Sequence, residues 1–119
     1  MTDWYFAGIG NETFWALVGK REIKGRTAAQ VLRPLVTEAS EPDISWISKV
    51  LLLETLSRFE LAFVIERRGE QVQWVLNPFR EPAEASGFAK TIGEAIDALS
   101  RASRIRHHAQ WDRIGASLA

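Results

Sequence analysis

The chain has 119 residues, 46% of them hydrophobic and 25% charged. This is typical of a globular protein that can bury a stable core without disulfides or bound metals. Fifteen basic and fifteen acidic residues cancel, so only a local basic patch is left to bind a phosphate backbone. The absence of cysteine excludes disulfides and thiolate metal sites.

We expect a single domain over residues 1–119. The first residues lack the basic segment and apolar run of a signal peptide, and no apolar stretch approaches the roughly 20 residues of a membrane helix. The expected location is therefore the cytoplasm.

Alternating apolar residues predict two strands at the start of the chain. Over residues 3–9, Trp4 and Phe6 alternate with Tyr5, and residues 13–18 repeat the pattern after a turn. A short third strand is predicted around residues 22–24, which makes a meander.

Two helices are predicted next. Thr27 and Gln30 form a capping box, and Pro34 predicts that this first helix kinks there or ends near Arg33. A second start signal at residues 40–43 predicts a helix that runs to about residue 58. Its apolar residues surround most of the axis, so it is expected to be buried on nearly every side or to form a homodimer surface over residues 44–58.

The alternating pattern of residues 61–79 predicts an antiparallel hairpin with one solvent-exposed face, and we expect the sheet to be built on this hairpin. Pro78 should end its second strand, because proline cannot donate a ladder hydrogen bond. Residues 80–89 are rich in small residues, proline and glycine and are predicted to be a loop.

Thr91 and Glu94 form a second capping box before a helix, and residues 108–118 continue with helical spacing. The predicted fold class is therefore α+β, with an antiparallel sheet of four to five strands in the order β-β-(β)-α-α-β-β-α-α and helices packed mainly on one face. Residues 27–35 align with residues 91–99, which indicates either a β-β-α unit used twice or two ordinary capping boxes.

The search for catalytic chemistry yields no motif. The P-loop and nucleophile-elbow patterns are absent, and the adjacent His107 and His108 point about 100° apart on a helix, so they cannot share a metal ion. Glu54 is either paired with Arg58 or buried with a raised pKa. We therefore predict no enzymatic activity, no cofactor and no metal.

The candidate binding residues are mostly basic. Two of them occupy the predicted hairpin tip, and the others lie in the C-terminal helical region beside His107, His108 and Arg113. The alternative is a solvated face in which Asp97 neutralises Arg101. The predicted partner-binding residues are Arg67, Arg68, Arg101, Arg104, Arg106 and Trp111.

These features favour a non-catalytic protein-binding module, an inhibitor or accessory protein that occludes a site on a macromolecular partner. Toxin immunity proteins and phage inhibitors of host defence work in this way, and the partner is expected to be another protein, for example part of a nucleic-acid-processing complex. The alternative is direct nucleic-acid binding through the arginines. Trp4, Tyr5 and Trp15 offer stacking faces for that purpose, although most of them are expected in the core.

Overall fold

The computed structural model describes residues 2–10, 12–42 and 46–118, without the side chains of residue 46 and residues 114–118. The predicted α+β class is confirmed, with helices packed on an antiparallel sheet. The strands are β1 (Trp4–Gly10), β2 (Thr13–Val18), β3 (Arg21–Gly25), β4 (Phe63–Arg68), β5 (Gln71–Leu76) and β6 (Ala85–Ala89). The helices are α1 (Ala28–Ala39), α2 (Trp46–Arg58), α3 (Ile92–Arg106) and α4 (His108–Leu118).

The strand order is β3-β2-β1-β4-β5-β6, and every neighbouring pair is antiparallel. The sheet thus consists of two three-stranded meanders joined at β1 and β4. Each meander leads into a helix with a threonine N-cap, Thr27 before α1 and Thr91 before α3. The repeated pattern seen in the sequence therefore corresponds to two β-β-β-α halves.

β6 corrects the prediction of a loop over residues 80–89. The strand contains alanine, serine, glycine and one phenylalanine, and it has no β-branched residue to indicate a strand. Gly87 pairs with Trp74 of β5, and a Cβ atom at position 87 would come within 2.8 Å of the indole ring. Gly87, one of the small residues that resemble a loop, is needed because its backbone lies directly on a tryptophan.

α1 continues past Pro34, which corrects the prediction that the helix ends near Arg33. The helix continues to Ala39 and ends where Ser40 adopts a left-handed conformation with φ of 54°. Leu35, Val36 and Ala39 beyond the proline are buried in the core, and this burial offsets the missing hydrogen bond of the proline nitrogen.

The helices cover one face of the sheet. α1 packs on β2 and β3, α2 on β1, and α3 on β4, β5 and β6, while α4 packs on α3. Alternate strand residues such as Phe6, Phe14, Phe63 and Ile65 point into this layer and are almost fully buried. In the described part of the chain, no helix packs against the opposite face, which we call the helix-free face.

α2 is less enclosed than its sequence predicts. Leu53 and Leu56 are fully buried, but Ile47 is 80% exposed and Leu51 is 61% exposed. Of the start signal predicted at residues 40–43, Ser40 instead ends α1, and residues 43–45 lie outside the described residues. None of the described helices is long and apolar enough to cross a membrane.

We predict that Pro34→Ala stabilises the protein by about 1–2 kcal/mol. Alanine restores the backbone hydrogen bond and removes the ring clash, together worth up to ~3 kcal/mol in a helix interior, and loses part of this gain because proline also restricts the unfolded chain. Urea denaturation followed by circular dichroism measures the change. An unchanged or lower midpoint would show that the proline is not strained in α1.

Candidate binding surface

The helix-free face has an apolar centre. Alternation places Ala7 of β1 between Trp15 of β2 and Val64 of β4 in the same cross-strand row, and Val75 of β5 continues that row. Trp15, Val64 and Val75 are half-buried although no described helix covers them. The solvent-exposed face of an antiparallel sheet usually carries polar residues, so this apolar row is unusual.

Two aromatic rings dominate one half of this face. Tyr5 and Trp15 lie on neighbouring strands with ring centroids 5.4 Å apart and planes at 65°, an edge-to-face contact. Leu17 is paired with Tyr5 across the strands and is half-buried as well. The rings hold each other in place and leave part of their surface accessible.

Charged side chains border the aromatic pair. Glu66 is paired with Tyr5 across β1 and β4, and burial followed by the charge of Glu66 raises the pKa of Tyr5. On the other side, hydrogen bonds from Lys24 and then from Trp15 lower the pKa of Glu22. Both signs of charge therefore occur close to the aromatic rings.

An open groove of about 840 Å³ lies at the end of β1, β2 and β3 and continues the helix-free face. Its wall combines the Trp15 ring and the exposed Ile9 with the cations Lys24 and Arg26, and Glu12 lies at its edge. The groove can accept an aliphatic or aromatic side chain together with a nearby acidic group.

Arg67, predicted to bind a partner at the hairpin tip, is instead fully buried. Its guanidinium donates two hydrogen bonds to the buried carboxylate of Glu41, one from Nε and one from Nη2 over 3.0 Å. It also donates to the carbonyl oxygens of Gly69 over 3.1 Å and Lys90 over 2.8 Å. The indole N–H of Trp4 donates to the same Glu41 carboxylate.

The burial of Arg67 has a simple cause. Phe63, Ile65 and Arg67 occupy alternate positions of β4, so all three point into the helix-covered layer. Glu41, which follows the end of α1, supplies the opposite charge that such a buried cation requires. Arg67 is therefore not accessible to a partner in this structure.

The remaining predicted residues are divided between the surface and the core. Arg68 is exposed and pairs with Glu66 over 3.3 Å, while Arg101 and Arg106 are exposed on α3. Arg104 is exposed, but its guanidinium carbon lies 4.9 Å from the centre of the Trp111 ring.

Trp111 packs into the core instead of facing a partner. It is buried, makes an edge-to-face contact with Phe59, and donates its indole N–H to Ser103 over 3.0 Å. This ring holds α4 against α3.

Other polar residues also have structural partners. Glu54 accepts a hydrogen bond from the backbone N–H of Ala28 over 2.6 Å at the start of α1, instead of pairing with Arg58. Asp97 pairs with Lys49 of α2 over 2.5 Å instead of neutralising Arg101.

The two histidines do not form a metal site. His107 Nε2 lies 2.8 Å from Glu84 Oε1, an ion-pair distance without hydrogen-bond geometry. His108 is exposed at the start of α4. No cluster of three or more potential metal ligands occurs within the described residues.

No protein-family model matches this chain, and neither a curated protein nor a solved structure is significantly similar to it.

We predict that Arg67→Met destabilises the protein by about 3–5 kcal/mol, because Glu41 is left buried without its counter-ion. The adjacent Arg68→Met is the matched control, and the loss of its exposed ion pair should cost less than about 1 kcal/mol. Chemical denaturation measures both values. Adding Glu41→Leu to Arg67→Met should recover part of the loss, and equal effects of the two arginine substitutions would contradict the burial of Arg67.

We predict that the ionisation of Tyr5 occurs above the ordinary tyrosine pKa of about 10 and moves down in Glu66→Gln. Tyr5 is the only tyrosine, so an ultraviolet titration reports it alone. Because its pKa is raised in the folded state, its contribution to stability is complete below pH ~10 and is lost as the pH rises through the folded value. Circular dichroism at each pH verifies that the protein is folded, and an unchanged midpoint in Glu66→Gln would contradict the contact.

Proposed function

We propose that this protein is a non-catalytic protein-binding module that covers a site on a macromolecular partner with its helix-free face. The observation that carries the proposal is the half-exposed apolar row of Trp15, Val64 and Val75 with the neighbouring Tyr5. An apolar centre with aromatic anchors and a charged rim is the usual anatomy of a protein interface.

The charges of this surface favour a protein partner over nucleic acid. Glu66 lies beside the aromatic pair, and Glu22 faces Trp15. Carboxylates in these positions repel a phosphate backbone, whereas a protein surface can supply matching cations. One of the basic candidates predicted from the sequence, Arg67, is also buried and cannot contact a phosphate backbone.

An inhibitor or accessory protein fits this arrangement. A rigid sheet loses little conformational entropy on binding, so it can hold a partner's surface without first becoming ordered. The partner we propose has an apolar patch bordered by charges of both signs, with an acidic group near the groove that contains Lys24 and Arg26. Immunity-type and anti-defence-type inhibitors are the functional classes that we favour.

The test is affinity capture from the native host with three tagged forms: the unmodified protein, Val75→Lys and Arg101→Glu. Val75→Lys places a charge in the apolar centre, while Arg101→Glu changes an exposed residue of α3 and is the control. We expect one partner to be retained by the unmodified protein and the control, and to be reduced at least tenfold with Val75→Lys. Circular dichroism confirms that each form is folded.

Several outcomes would contradict this function. They include capture of no protein, or equal retention by Val75→Lys. Binding of labelled DNA or RNA that weakens with salt and is lost in Arg101→Glu would favour the nucleic-acid alternative.

A further inference from the structure

The outer edge of β6 is unprotected. In the described part of the chain β6 pairs only with β5, so its other row of backbone N–H and C=O groups has no strand partner. The strand has no charged residue and no proline, and its register with β5 is free of bulges. Charged residues, proline and bulges are the features by which edge strands usually avoid pairing with another chain, and β6 has none of them.

The opposite edge of the sheet has the protection that β6 lacks. β3 contains Arg21, Glu22 and Lys24 among its five residues. Arg21 also forms an ion pair with Glu38 of α1, and this pair connects the edge strand to the helix above it. Charges along and above an edge oppose the approach of another strand.

Aligning the two halves of the fold shows which residues differ between the β3 edge and the β6 edge. When the N-cap residues Thr27 and Thr91 are aligned, Glu38 of α1 corresponds to Ala102 of α3. The first residue of β3 is Arg21, and the first residue of β6 is Ala85. Two alanines therefore occupy the positions of the charged pair at the β3 edge.

The flank of α3 above the β6 edge is apolar. Asp97 marks the flank that faces α2, through its ion pair with Lys49. Ala98, Ala102 and Ile105 recur at helical spacing on the other flank, which lies toward the end of the sheet at β6.

Large apolar side chains are exposed on both sides of this edge. Ile105 is 71% exposed on the helix side, and Phe88 of β6 is 65% exposed on the helix-free side. An edge with free backbone groups and apolar side chains above and below it fits a strand that brings its own apolar neighbours.

We propose that the occupant is a second copy of this chain, related by a two-fold axis normal to the sheet. The two β6 strands pair antiparallel into a continuous twelve-stranded sheet, and the two α3 helices pack antiparallel through Ala98, Ala102 and Ile105. Such an interface uses the same patch from both copies, as closed dimers do. It differs from the helix-free face and leaves that face accessible.

A second copy can be placed against the β6 edge with the two α3 helices facing each other. Strands in a sheet are about 4.8 Å apart, and α3 packs on both β5 and β6. The two α3 axes would therefore lie about 10–14 Å apart, from the upper end of the usual helix spacing to a gap that the exposed Ile105 side chains must fill. A five-residue strand pair is short for interfaces of roughly 1,200–2,000 Å², so the helix contact is required for a stable dimer.

The charges on α3 are complementary in this arrangement. Glu94 lies in the first turn of α3, and Arg106 lies in the last turn. Both are exposed, and antiparallel packing brings each Glu94 toward the Arg106 of the other copy.

The experiment compares molar mass by analytical ultracentrifugation in three forms: the unmodified protein, Ala85→Arg/Ala102→Glu and Leu51→Lys. The double variant gives the β6 edge the charges of the β3 edge, while Leu51→Lys disrupts the competing dimer surface over residues 44–58. We expect twice the chain mass for the unmodified protein and for Leu51→Lys. The double variant should be a folded monomer whose dimer dissociation constant is raised at least 100-fold.

A second measurement uses the unmodified protein alone. Amide exchange of Ser86 and Phe88, which alternate with Gly87 and so direct their N–H groups away from β5, should slow as the protein concentration rises, because these outward groups become paired. A monomer at concentrations on the order of 1 mM, where even weakly self-associating chains dimerise, would overturn the proposal. Loss of the dimer in Leu51→Lys with an intact dimer in the double variant would overturn it as well.

Discussion

The buried ion pair between Arg67 and Glu41 is the constraint on which the rest of the structure depends. It joins the residue that follows the end of α1 to β4, and its hydrogen bonds reach Trp4 of β1 and the carbonyl of Lys90 between β6 and α3. Segments from both halves of the fold therefore meet at one carboxylate and one guanidinium. A buried pair of this kind gives modest net stability, but the loss of either partner leaves an uncompensated charge.

The ion pair also determines which surfaces are accessible to partners. Because Arg67 turns into the helix-covered layer, the alternate residues Glu66 and Arg68 face the other side, where they border Tyr5. By holding Lys90, Arg67 also fixes the point where β6 leads into α3. The helix-free face and the β6 edge are thus separate surfaces positioned by one internal contact, and each can bind a partner independently of the other.

Much of the fold could be predicted from alternation and capping signals, because these are local. The hairpin of β4 and β5 and the helix starts at Thr27 and Thr91 follow from residues close in sequence. The burial of Arg67 shares the alternation of Phe63 and Ile65, but its partner Glu41 is 26 residues away and has no local signal. β6 could not be predicted from the sequence, because its Gly87 is required by a contact with Trp74 of the neighbouring strand, and composition does not reveal such a contact.

The central claim, that Arg67 is an internal structural residue, is tested most directly by nuclear magnetic resonance of arginine side chains. We expect the Nε–H of Arg67 to exchange slowly with water at neutral pH, because it donates to buried Glu41. The Nε–H of exposed Arg68 should exchange rapidly in the same sample. Exchange of Arg67 as rapid as that of Arg68 would contradict the account.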